Sequence, residues 1–203
     1  TIRGGVAVRK VIIKDLKAVG VEAESGGEVF NIEADKVVLC SGAIKSPHLL
    51  MLSGIGSADQ MKEFGITLIR ELPGVGNHLW NHLSSHIAFK VKDGITLSGE
   101  ADAVHYSLHY TADGSSEAND MVLRTNPVVD EREEKVPGLR TKYVTDGIPP
   151  EQVGRISCTL GLPDGSGYVR LASADPLVQP TFNYQYLQNA NDIKRVREGI
   201  RMS

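Results

Sequence analysis

From the start of the chain, apolar positions recur in short runs broken by polar turns, the signature of half-buried strands. Val6, Val8, Val11 and Ile13 lie in one β-branched run, and Ala18-Val19-Gly20-Val21-Glu22-Ala23 resumes it after a turn at Lys14-Asp15-Leu16-Lys17. A second turn at Ser25-Gly26-Gly27 leads to Glu28-Val29-Phe30-Asn31-Ile32-Glu33, which alternates polar and apolar. Two tight connections between short alternating runs predict a three-stranded antiparallel meander. The texture then changes: Lys36-Val37-Val38-Leu39-Cys40 is a continuous apolar run closing on Ser41-Gly42-Ala43. Such a run predicts a strand covered on both faces, as in a parallel sheet, with Cys40 as a small apolar filler at its end.

Helical signals follow. Ser46 is a good N-cap and Pro47 suits the first helical position, so a short apolar helix is expected through Leu52, halted by Ser53-Gly54-Ile55-Gly56. A second helix is expected over Ala58–Phe64 with Gly65 as its C′ residue. Leu72-Pro73-Gly74-Val75-Gly76 is turn chemistry, and a domain boundary is placed near Ser84, dividing the chain into 1–83 and 84–203. Beyond it, strands are expected over Ser85–Lys92, Gly154–Leu162 and Gly167–Leu171, with an extended piece between Pro176 and Pro180. A helix capped by Ser98 is expected over Gly99–Thr111, with residues 113–120 and the charged run Asp130–Lys135 as exposed loops. Asn191–Met202 reads as a helix with Ile193, Val196 and Ile200 on one stripe.

Composition narrows the classes. The 203 residues carry 22 basic and 25 acidic side chains, a net charge of −3 with the signs mixed, so no electrostatic footprint for nucleic acid is present. No apolar run approaches the ~20 residues of a transmembrane segment. Two cysteines, Cys40 and Cys158, make no disulfide framework, which favours a reducing compartment such as the cytoplasm. The chain opens at Thr1 and stops at Ser203 inside a helical pattern, and so reads as a piece of a longer protein.

The chemistry points to the strand-turn-helix between Lys36 and Gly56. Ser41, Gly42 and Ala43 present almost no bulk, and the helix beyond them aims free N–H groups at that space, which suits a phosphate or another anion. On the residues alone, a nucleotide-type site and tight helix-on-sheet packing both remain open. The run Gly42-Ala43-Ile44-Lys45-Ser46-Pro47-His48-Leu49-Leu50-Met51-Leu52-Ser53-Gly54-Ile55-Gly56 resembles the second signature of the glucose-methanol-choline (GMC) flavoprotein oxidoreductases. Leu72-Pro73-Gly74-Val75-Gly76, His82 and Gly167–Pro176 agree with that family's pattern. His78-Leu79-Trp80-Asn81-His82 departs from its common Asn-Leu-x-Asp-His, and His48 stands where a Gln is common.

The resemblance implies α/β plus α+β architecture. It comprises part of a doubly wound FAD-binding domain with a β-meander, and part of a substrate domain on an antiparallel sheet. It implies FAD as cofactor, with the main chain of Val8 contacting the adenine ring and Gly42 and Ala43 lining the adenosine side. It implies oxidation of a small-molecule alcohol by hydride transfer to the flavin, with oxygen, a quinone or another carrier as electron acceptor. A flavin-retaining lyase and a non-catalytic FAD-binding homologue are the alternatives. No Gly-x-Gly-x-x-Gly follows a strand in this sequence, so the family's pyrophosphate loop is expected before Thr1 and its catalytic His beyond Ser203; no catalytic residue is assigned within the chain. His78, His82 and His86 are spaced by four, which on a helix offers a zinc face; lacking a carboxylate or cysteine, the cluster is assigned no metal. His105 and His109 share a face of the expected helix over 99–111.

Overall fold

The computed structural model describes residues 1–95, 106–126, 148 and 152–203. The meander forms as expected: β1 (Ala7–Lys14), β2 (Lys17–Ser25) and β3 (Glu28–Glu33) lie antiparallel in the order β1-β2-β3. Asp15 and Leu16 turn the first hairpin with φ of 48° and 60°, the left-handed pair that a two-residue loop needs to follow the strands' twist. Arg9 and Lys10 pair across the strands with Glu22 and Glu24.

The run from Lys36 to Cys40 is extended but belongs to no ladder, and Val38 (73% exposed) and Cys40 are exposed. This corrects the expected covered strand: apolar content favours a strand, but a strand exists only where neighbours accept its N–H and C=O groups, and none is present among the described residues.

Helix α1 spans Gly42–Leu52, beginning one turn before Ser46, so Pro47 is interior to it. Gly54 at φ +80 ends it, and a Cβ there would meet the Thr67 carbonyl at 2.3 Å, so both conformation and space require glycine. Next come β4 (Ile55–Gly56), α2 (Ala58–Glu63) and β5 (Arg70–Glu71), with β4 and β5 paired in parallel. Helix α2 closes as expected on Gly65: the Ile66 N–H reaches the Met61 carbonyl at 2.8 Å and the Gly65 N–H that of Lys62 at 3.3 Å. Strand β6 covers Asn77–Leu79.

Strands β7 (Leu83–Lys90), β8 (Ser107–Tyr110), β9 (Met121–Asn126) and β10 (Val153–Leu160) form a four-stranded antiparallel sheet in the order β7-β10-β9-β8. The part of the expected 99–111 helix that is described is therefore strand β8; the rest, with the run Asp130–Lys135, lies outside the described residues. The chain continues through β11 (Gly167–Arg170) and β12 (Thr181–Asn183), which join β6 in the order β12-β11-β6, and ends in α3 (Ala190–Met202).

Two compact units result, each discontinuous: residues 1–80 with 166–185, and residues 81–165 with 186–203. Residues 166–185 pack with the N-terminal segment through the β11–β6 ladder. The first unit's core is Met51, Leu52, Met61, Leu79, Val169 and Leu171. The second unit's core packs Met121, Leu123, Cys158 and Leu160 of the sheet with Val196 of α3. Helix α3 does not bury the expected stripe. Asp192, Arg195, Val196 and Gly199 face inward, while Ile193 and Ile200 are 37% and 40% exposed. A charged pair buried by mutual hydrogen bonding reads from sequence as a solvent face, which is why the stripe was misassigned.

Candidate functional site

The start of α1 is small and open. Ser41, its N-cap, makes no side-chain cap bond, the first turn holds no acidic residue, and Ser41, Gly42 and Ala43 are all exposed. Gly42 has φ +81, the freedom that lets the chain enter the helix one turn early, and its Cβ position has nothing within 4 Å. Ser46 is no N-cap; its Oγ instead accepts the Ser41 N–H at 3.1 Å. Pro47 has no N–H to give the Ala43 carbonyl one turn back, so this first turn is under-bonded at its donors and at one acceptor.

The other end of α1 is tied to the meander. The buried Ser53 hydroxyl donates to the Leu49 carbonyl at 2.6 Å and accepts the Val11 N–H at 2.8 Å. Val8 lies on the same edge strand, opposite Ala23, beside an irregularity of register and 43% exposed. Gly42 and Ala43 are thus together, whereas the bond joining β1 to α1 is at the far end of the helix. Between meander, extended segment and helix lies a cavity of about 370 Å³, lined by apolar side chains including Val11, Ala18, Val37, Leu39 and Leu50, with Arg70 the single charged lining residue among the described residues.

His48, on the inner side of α1, is 3% exposed and its Nε2 has no hydrogen-bond partner among the described residues. Burial, and then the Lys45 charge, hold its pKa below 6.5.

In the second unit, sequence reasoning missed a buried ionic cluster. Arg195 (1% exposed) donates to Asp120 at 2.7 Å and to Asp192 at 2.6 Å, and lies 3.2 Å from Asp164. Burial alone would raise the Asp120 carboxyl, but hydrogen bonds from Arg195, the Ala112 N–H and Ser115 hold it below its ordinary 3.8. The only available signal was Asp and Arg at i and i+3 early in a helix, which is also ordinary for a solvated surface. Tyr110, whose buried hydroxyl has no partner among the described residues, is pushed up to about 12 by burial and by the charges of Cys158, Glu198 and Asp120.

The opposite face of the four-stranded sheet is polar. Ser84 and Thr159 share a hydrogen bond of 2.8 Å, and His86 Nδ1 lies 2.9 Å from Ser157 Oγ. His78 sits on β6 and His86 on β7, so the spacing of four places no common helical face beneath the three histidines. His109 is on β8, and His105 lies outside the described residues. Cys40 and Cys158 are both free thiols; Cys40 is exposed rather than a buried filler.

Comparison with known proteins places these features. The GMC oxidoreductase family matches in two parts, its N-terminal domain over residues 1–84 and its C-terminal domain over residues 163–203. An oxygen-dependent choline dehydrogenase of Photobacterium profundum is 30% identical over 220 aligned residues, covering 100% of this chain and 38% of the relative. The mitochondrial choline dehydrogenase of Homo sapiens is 31% identical, covering 97% of this chain and 35% of the relative. The chain thus spans little more than a third of these proteins' length. Among solved structures, pyridoxine 4-oxidase from Mesorbium loti aligns with a TM-score of 0.75 at 21% identity, over 97% of this chain and 37% of the other; it shows the shared fold. A formate oxidase aligns with a TM-score of 0.65 at 25% identity, over 97% of this chain and 42% of the other. With the 42–56 run folded as one helix and its glycine stop, and with both ends of the chain matched, the chain belongs to the GMC oxidoreductase family.

Proposed function

We propose that this chain is part of an FAD-dependent oxidoreductase that oxidises an alcohol carbon. FAD is the family's cofactor, and when bound it supplies the acceptor for the substrate's hydride. The observation that carries the reading is the open, under-bonded corner at the start of α1, where Gly42 and Ala43 leave room for a planar or polar group and free N–H groups face it. Gly42 and Ala43 line the adenosine half in this reading. Val8 contributes its main chain, because its side chain has no polar atom to offer. Neither proton abstraction nor hydride positioning is assigned to a residue within 1–203. Oxygen, a quinone or another carrier takes the electrons onward.

The test is to purify the full-length protein and measure bound FAD, then add primary and secondary alcohols anaerobically and follow flavin bleaching. Bleaching by an alcohol is the expected result; flavin that binds but never bleaches points instead to a flavin-retaining lyase or a non-catalytic homologue. Ala43→Leu, which fills the corner, is expected to lower the FAD retained per folded chain. Unchanged FAD content in a folded Ala43→Leu protein removes the corner from the cofactor site.

A further inference from the structure

The peptide groups of Val37, Val38 and Leu39 make no hydrogen bond among the described residues, yet their side chains alternate as in a strand. Val37 and Leu39 line the cavity of about 370 Å³, whereas Val38 is 73% exposed and Cys40 is exposed with it. The other walls of that cavity, among them Val11, Leu50 and Ile69, belong to the same compact unit. Arg70 stands at its edge, exposed and without an ion pair among the described residues.

Strand β3 of the same unit shows how a solvated edge is composed. It carries Glu28, Asn31 and Glu33, charge and polarity that keep an open edge wet. Val37-Val38-Leu39-Cys40 has neither, and presents aliphatic groups to both sides of its backbone. Peptide groups without partners are tolerable only where water reaches them, and aliphatic faces gain by expelling that water. The run is therefore composed for a paired and covered position. Polypeptide to cover it is at hand in this family, because the chain spans only 38% and 35% of the two choline dehydrogenase relatives.

We propose that Val37–Leu39 pairs with a segment of the same polypeptide lying outside residues 1–203. That segment closes the cavity with aliphatic side chains and brings a carboxylate to Arg70. A run apolar on both faces suits a parallel partner in a sheet with both faces covered. The carboxylate follows from the closure itself, since covering the cavity takes the Arg70 guanidinium out of water, where a charge persists only beside a partner. The inference goes beyond the flavoprotein reading and uses no property of the cofactor.

The experiment is done on the full-length protein. Amide exchange at Val37–Leu39 is expected to be about a hundredfold or more slower than in an unstructured peptide. Cys40 is expected to resist a thiol reagent until the protein is unfolded. A photoactivatable diazirine amino acid at position 38 is then irradiated and the adduct mapped by mass spectrometry. The adduct is expected within a single chain, on a peptide outside residues 1–203. Arg70→Met is expected to speed exchange at Val37–Leu39 roughly tenfold, the order of one charge-assisted pair, and Arg70→Lys to speed it less. Unprotected amides at Val37–Leu39 or a freely reacting Cys40 in the native protein overturns the proposal, and neither measurement needs a substitution. An adduct within residues 1–203, on the flavin, or joining two chains overturns it as well, by naming a different occupant. Unchanged exchange in Arg70→Met overturns the assigned carboxylate. None of these readouts depends on whether an alcohol bleaches the flavin, so the two readings fail separately.

Discussion

The two compact units bury apolar clusters of similar make-up but close them with opposite kinds of polar chemistry. In the first, the buried polar groups are neutral: Ser53 accepts the Val11 N–H, and Gln60 accepts the Leu171 N–H at 2.9 Å. In the second the most deeply buried are charged, with Asp120, Asp192 and Arg195 at 0%, 3% and 1% exposure. A neutral side chain bonded to a backbone N–H costs little to bury and little to lose, about 1 kcal/mol net. A buried charge is tolerable only while its partners stay in place. The first unit should therefore weaken by degrees, and the second should fail as a whole when one ion is removed.

The sharpest way to break this contrast is Arg195→Met, which leaves two buried carboxylates without their cation. It is expected to cost the second unit about 3–5 kcal/mol. Hydrogen exchange would show lost protection at β9 and β10 amides with α1 amides unaffected, and equal loss in both units would end the distinction. Gly54→Ala attacks the first unit instead, combining a left-handed backbone with a Cβ against the Thr67 carbonyl, and is expected to cost about 2 kcal/mol or more. Denaturant unfolding read through Trp80, which lies in the first unit, measures it.

Acid sharpens the comparison more gently. The folded His48 pKa lies below its ordinary 6.5, so below that value protons bind the unfolded chain in preference. The first unit should thus be fully stable above pH 6.5 and weaken as pH falls from there towards the folded pKa; His48→Gln should remove that dependence. Asp120, also depressed, leaves the second unit's stability intact down to about 3.8, with loss only below it. A reversed order of the two acid transitions would contradict this assignment. The smallest effect is a gain: Tyr110→Phe removes a buried hydroxyl without a partner and should stabilise the second unit by up to ~1 kcal/mol in the same exchange measurement.

What the sequence made legible was whatever is decided locally. The meander followed from period-two runs and two turns, and the end of α2 from a glycine whose backbone freedom sets the stop. The beginning of α1 was not legible, because Ser46 and Pro47 satisfy the ordinary start rule while Gly42 lets the chain enter one turn sooner. Residues 36–40 carry the composition of a covered strand, yet pairing is a property of neighbours rather than of the run itself. Strand β8 was read as helix, and β9, placed by ladders to β8 and β10, was not foreseen at all. The openness of the corner at Ser41–Ala43 was legible because its signal is the absence of side chains.

The β6–β11 ladder has a consequence for how the protein is made. Ribosomes deliver the chain in order, so β6 emerges long before β11 and β12, and the whole run 81–165 is synthesised in between. The second unit in turn waits for α3 to cover its sheet. The first unit can therefore close only once 166–185 has been made, and the second only once α3 has followed it.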